Sequence, residues 1–156
     1  MSTPRVYRIG VIGAGVCDET IGRMAEEVGH HIGRRGGLLL CGGLGGVMEA
    51  AARGAKKAGG TTIGILPGEN ARDANPHIDI PIVTGMGEAR NVIIVRTADA
   101  VIAISGGPGT LSEIAFCLKL GVPLVGLKTW DIGSSMHHVA TASEAVDLVY
   151  RLLEKR

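Results

Sequence analysis

The apolar residues of this chain alternate between short dense runs and longer stretches in which they recur every three or four positions. The short runs are 6–12, Leu38–Cys41, Thr61–Leu66, 78–83, Ala100–Ile104 and 123–127, interrupted by polar side chains only at Arg8, Thr61, Thr62 and Asp79, and their Val, Ile and Leu content predicts buried strands. Between the first two, Ile21, Met24, Ala25, Val28 and Ile32 trace one face of a helix over 18–34, with Asp18 placed to cap it and Gly36-Gly37 to end it. Further helices are expected over 47–58, 111–120 and 142–153. The run Val92-Ile93-Ile94-Val95 prefers a strand on local propensity. Only residues 96–99 separate it from the strand at Ala100, which would force an antiparallel hairpin, so 91–95 reads as a buried helix. Pro81 assigns its strand to a sheet edge, residues 67–76 read as an exposed loop, and 129–141 as irregular.

Strands in alternation with helices predict an α/β fold, a mostly parallel sheet with right-handed crossovers and helices over both faces, in one domain spanning 1–156. In such a fold the loops that follow the strands gather on one rim, where ligands bind at the reversal of strand order.

Composition sharpens that picture at one residue type. Glycine supplies 25 of 156 positions, against a usual share of about 7%. The glycines cluster where three of the expected strands end, as Gly13 and Gly15, as Gly42, Gly43, Gly45 and Gly46, and as Gly106, Gly107 and Gly109. A net charge of +1, 3% aromatic residues and the lack of a long basic run argue against nucleic acid as a partner. Three cysteines without CxxC spacing suggest neither a disulfide framework nor a metal site. No run approaches 18 apolar residues and no signal-peptide pattern is present, so no membrane partner is expected and the cytoplasm is the default location.

The candidate chemistry lies on the glycine-rich rim. Ser105 to Glu113 reads as strand, tight turn and helix start, so the backbone of Gly106 to Thr110 forms an anion site from free N–H groups. Neither of the other clusters is a standard nucleotide motif: Asp18 occupies the third small position of the dinucleotide fingerprint, and no Walker lysine follows Gly46. Glu113 has two readings, a capping box closed with Thr110 or a carboxylate facing a pocket. Arg90 likewise is either a phosphate clamp or a solvated charge at a helix start. The pairs His30-His31 and His137-His138 have no partner at ligand spacing and read as surface residues.

Gly85-Met86-Gly87-Glu88-Ala89-Arg90-Asn91, followed by Gly106-Gly107-Pro108-Gly109-Thr110-Leu111-Ser112-Glu113, resembles the LOG-like superfamily once labelled possible lysine decarboxylases. Its hallmark is Gly-Gly-x-Gly-Thr-x-x-Glu with an upstream arginine, and the match extends to residues 42–49. The resemblance implies a Rossmann-like three-layer fold, a homodimer or homotetramer, and no required cofactor. Its best-known members are phosphoribohydrolases that cut cytokinin nucleotides or AMP to a base and ribose 5-phosphate. On that pattern Arg90 and Glu113 form the catalytic pair, and the phosphate or ligand is held by the three glycine clusters together with Met86, Arg90, Asn91 and Thr110. Two departures stand out: Asn91 where the hydrolases carry lysine, and Ser105 where their motif begins with proline. The Arg90-Asn91 pair is closer to the molybdenum-cofactor carrier branch, which implies binding of a phosphate-bearing nucleotide-like or molybdopterin-type ligand. Hydrolysis of nucleoside 5'-monophosphates is the alternative. A third reading is a ligand sensor with residues 67–76 as its lid.

Overall fold

The chain climbs outward from the middle of its sheet twice, once in each direction. The computed structural model, which describes residues 2–133 and 135–156, starts with strand β1 (Arg8–Gly13), helix α1 (Glu19–Arg34), β2 (Leu38–Cys41), α2 (Val47–Lys57), β3 (Thr61–Leu66) and β4 (Ile80–Val83). It then returns through α3 (Arg90–Thr97) to β5 (Ala100–Ile104) beside β1, and continues with α4 (Pro108–Leu120), β6 (Leu124–Leu127), β7 (His137–His138) and α5 (Ala142–Glu154). The seven strands lie in the order β4-β3-β2-β1-β5-β6-β7, and all their pairings are parallel. The order reverses between β1 and β5, the place where doubly wound sheets open a crevice beyond the strand ends.

Strand alternation builds the two faces. Ile9 and Val11 of β1, Leu39 and Cys41 of β2, and Ala100, Ile102 and Ile104 of β5 pack under α1, α2 and α5. Ile12, Leu40, Val101 and Ala103 point the other way, under α3 and α4. The first layer is unusually close-set. A Cβ on Gly29 would run into the Ala51 carbonyl, and one on Gly54 into the Glu26 carbonyl, so α1 and α2 cross with backbone against backbone. Asp18 caps α1 by accepting the Ile21 N–H at 2.8 Å, as its spacing predicts.

Several expected elements differ from those observed. The first strand starts at Arg8 rather than 6, and the fourth at Ile80 rather than 78, where Pro81 does sit on the outermost strand. The irregular stretch 129–141 contributes β7, two residues paired to Val125 and Gly126; so short a strand has no readable period. Residues 91–95 are helical within α3. Among the described residues no helix is long and apolar enough to cross a membrane, and no cluster of His, Cys, Asp and Glu could hold a metal ion.

Candidate functional site

Helix α4 begins three residues before its expected start, and this changes what its first turn can do. Gly107 is the N-cap, in an extended conformation, and Pro108 is the first helical residue; proline favours that position because its φ is already set and it has no N–H to orphan. Thr110 and Glu113 therefore lie inside the helix, and the capping box, one of the two readings of Glu113, does not form. The first helical bond runs from Leu111 N–H to the Gly107 carbonyl at 3.0 Å, which leaves the amides of Gly107, Gly109 and Thr110 ahead of it for an anion.

The turn that leads into α4 is held in an unusual conformation. Ser105 has φ +49° and Gly106 φ +105°; a Cβ on Gly106 would collide with the Thr110 side chain. Ser105 N–H donates to the Leu127 carbonyl at 2.9 Å. From the loop after β6, Thr129 Oγ1 donates to the Ser105 carbonyl at 2.6 Å and Trp130 Nε1 to the Gly107 carbonyl at 3.2 Å. Two neighbouring side chains thus brace the turn from outside.

The three glycine clusters meet at the reversal point around a cavity of about 430 Å³. Of the candidate residues, Gly13, Gly15, Gly42, Arg90, Asn91, Gly107, Gly109, Thr110 and Glu113 line it. Gly43, Gly45, Gly46, Gly106 and Met86 are not among its lining residues. Gly46, at φ +61°, abuts the Ala14 and Gly15 backbone, and Met86 is half exposed. The remaining wall comes from Val11, Ile12, Ala14, Leu44, Met48, Pro67, Gly87, Glu88 and Pro108. Leu44, Met48, Gly87 and Glu88 fall within recognisable motifs, whereas Pro67 carries no signal beyond following a strand. Residues 67–76 are tied to the second glycine cluster: Asn75 Nδ2 donates to the Leu44 carbonyl at 2.8 Å and Asn75 N–H to the Gly43 carbonyl at 2.9 Å.

Arg90 is not a solvated charge. It opens α3 with 8% of its surface exposed, and Gly42 makes its room, since a Cβ there would run into Nη1 and lie 2.7 Å from Met48 Sδ. Arg90 Nη1 donates to Asn91 Oδ1 at 3.0 Å. Its Nε is buried with no partner among the described residues. Burial works against the guanidinium charge, and the carboxylates of Glu113 and Glu88 support it. Glu113 is 6% exposed. Burial lifts its carboxyl to a pKa of about 7, with the Arg90 charge pulling the other way. A carboxyl so poised both donates and accepts a proton near neutrality. Beneath the cavity, burial pushes the thiols of Cys41 and Cys117 up to about 11 and about 12, which keeps them protonated.

The comparisons with known proteins bear on this arrangement. The molybdenum cofactor binding protein of Rippkaea orientalis superposes with a TM-score of 0.91 at 38% identity, covering 97% of this chain and 99% of that one. A Moco carrier protein of Chlamydomonas reinhardtii superposes at 0.89 with 40% identity, over 97% of this chain and 100% of its own. A cytokinin riboside 5'-monophosphate phosphoribohydrolase of Mycobacterium tuberculosis is 40% identical over 95 residues, 58% of this chain and half of its own length. The SLOG cluster4 family model matches residues 6–152. The chain belongs to the SLOG cluster4 family, within the LOG-like superfamily that its glycine motif resembles.

Proposed function

We propose that this protein binds a phosphate ester of nucleotide-like or pterin type in the cavity at the strand reversal, in the manner of a molybdenum-cofactor carrier. The observation that carries the reading is the meeting, in one cavity, of free amides at the α4 N-terminus with a buried guanidinium whose Nε lacks a partner among the described residues. The amides supply a fixed positive potential and Arg90 a planar cation, together a cradle for a dianion. A cavity of about 430 Å³ suits a small phosphate ester rather than a dinucleotide. The similarity to proteins named as molybdenum cofactor binders supports the pterin class. A molybdopterin-type ligand would present its phosphate to Gly107, Gly109, Thr110 and Arg90, leaving Glu113 for a ring or hydroxyl proton. The same resemblance brings a homodimer or homotetramer into the proposal, to be checked by light scattering of the eluted protein.

Native mass spectrometry of freshly purified protein tests the reading directly, with a retained phosphate ester as the expected result. Steady release of free base and ribose 5-phosphate from AMP would overturn it in favour of hydrolysis. One observation favours that second reading: Glu113 near pKa 7 shares the cavity with Arg90. In a phosphoribohydrolase the carboxylate stabilises the oxocarbenium charge that develops as the N-glycosidic bond breaks, while the arginine holds the phosphate.

A further inference from the structure

Asn91 is buried, with 8% of its surface exposed, and its side chain faces protein groups on both sides. Its Oδ1 accepts from Arg90 Nη1 at 3.0 Å. Its Nδ2 lies 3.4 Å from Ser112 Oγ, and Ser112 Oγ lies 2.6 Å from the Gly109 carbonyl. Polarity fixes every step of this chain. A guanidinium has only donors, so the amide atom facing Arg90 must be the oxygen. The amide nitrogen is then turned to Ser112 and can only donate. The Gly109 carbonyl can only accept, so the serine hydroxyl gives its proton there and receives from Asn91.

We infer that Asn91 is a positioning residue that brackets the Arg90 guanidinium to the first turn of α4, so that arginine and glycine-turn amides act as one preassembled anion cradle. The inference rests on reading the cavity as a phosphate-ester site. It also revises the part expected of Asn91: the side chain acts through Arg90 rather than on the ligand. The physical gain is preorganisation. A free arginine must be immobilised when the anion binds, whereas a bracketed one has already been held in place. Gly42, by having no side chain, leaves the space beside Nη1, and Asn91 supplies the one side-chain hydrogen bond to the guanidinium among the described residues. A lysine at 91 would have no acceptor to offer and would set a second cation against Arg90.

The test uses the full chain and 5'-AMP as the probe, with affinity read by titration calorimetry. Asn91→Leu is expected to weaken 5'-AMP binding by roughly tenfold, the usual effect of losing a hydrogen bond to a charged group. The same substitution made in an Arg90→Met background is expected to change affinity by less than about twofold, because the group it acts through is gone. Ser112→Ala, which spares the Arg90 contact, is expected to fall between, and it keeps the test open should Asn91→Leu fold poorly. Equal losses with and without Arg90 would overturn the inference by placing Asn91 on the ligand itself. A second arm needs no ligand: the Nη protons of Arg90 should give separate, slowly exchanging NMR signals in the parent and merge in Asn91→Leu. Unchanged signals in that variant would also overturn the inference. If the parent binds no 5'-AMP, the nucleotide reading of the cavity fails, and the Nη signals still decide the role of Asn91.

Discussion

Replacing Glu113 by glutamine should make this protein more stable above neutral pH and leave it unchanged in acid. Glutamine has the shape of a protonated glutamate and none of its charge. In the folded protein burial raises the Glu113 carboxyl from its ordinary 4.5 to about 7. Between those two values the unfolded chain has released its proton and the folded one has not, so stability falls as pH rises through this window. Above about pH 7 the folded state holds a buried carboxylate, and the penalty levels off. By linkage it amounts to about 3 kcal/mol, a large share of the 5–15 kcal/mol that is typical of a domain's stability. Below about pH 4.5 both states carry the proton and the penalty vanishes. Urea unfolding of the parent and of Glu113→Gln at pH 4 and pH 8 measures the difference. A hydrogen bond from Lys57 holds the Glu26 carboxyl below its usual range. Burial pushes Asp79 and Asp99 up, but hydrogen bonds from Lys56 and Arg8 outweigh it and leave both lowered. Because both proteins share these three groups, their acid titration cancels in the comparison. The expected result is equal stability at pH 4 and a variant more stable by about 3 kcal/mol at pH 8. A difference between the two proteins that stays flat across that range would refute the argument, because it would mean that Glu113 is well solvated in the folded state.

Three further substitutions test other parts of the structure. Gly42→Ala puts a methyl group into the space of Arg90 Nη1 and Met48 Sδ; 5'-AMP affinity by calorimetry should fall at least about tenfold while stability falls by about 1–3 kcal/mol. Unchanged affinity would remove Arg90 from the site. Gly54→Ala would normally stabilise a helix by up to about 1 kcal/mol, but here the new methyl meets the Glu26 carbonyl across the α1/α2 crossing. Urea unfolding should therefore show a loss, by overpacking, of about 1–3 kcal/mol or more, and a gain would refute the close crossing. Ser105→Pro requires a φ of about −65° where the chain has +49°, and it deletes the N–H that reaches the Leu127 carbonyl. A loss of about 3 kcal/mol or more is expected, read as a lowered denaturant midpoint; a proline variant as stable as the parent would show that the turn readily adopts another conformation.

Much of the fold was legible because burial on both faces leaves a plain signature. Leu38–Cys41, Thr61–Leu66 and Ala100–Ile104 are strands with the bounds that their apolar runs suggest, since strands covered by helices on both sides need no polar alternation. Helix α3 was readable against its own propensity, because a hairpin into β5 would break the parallel order. The start of α4 was not. Thr110-Leu111-Ser112-Glu113 has the spacing of a capping box, yet Pro108 and Gly107 open the helix earlier, and the preference of proline for a first helical position was the competing local signal. The glycine clusters announced a rim. What they could not show is which neighbour each glycine serves: Gly42 makes room for Arg90, far along the chain, a relation that exists only in three dimensions. The burial of Arg90 and Glu113 was hidden for the same reason, since both readings of each residue fit the local sequence.

The bond from Trp130 to the Gly107 carbonyl has a practical consequence. This is the chain's one tryptophan, and it is fastened to the turn proposed to hold the anion. Its emission is therefore an optical probe of that turn, built into the unmodified protein. Any ligand that shifts the turn or shields the indole should change the intensity or wavelength of that light, so candidate phosphate esters can be compared in a cuvette without a label or an engineered reporter.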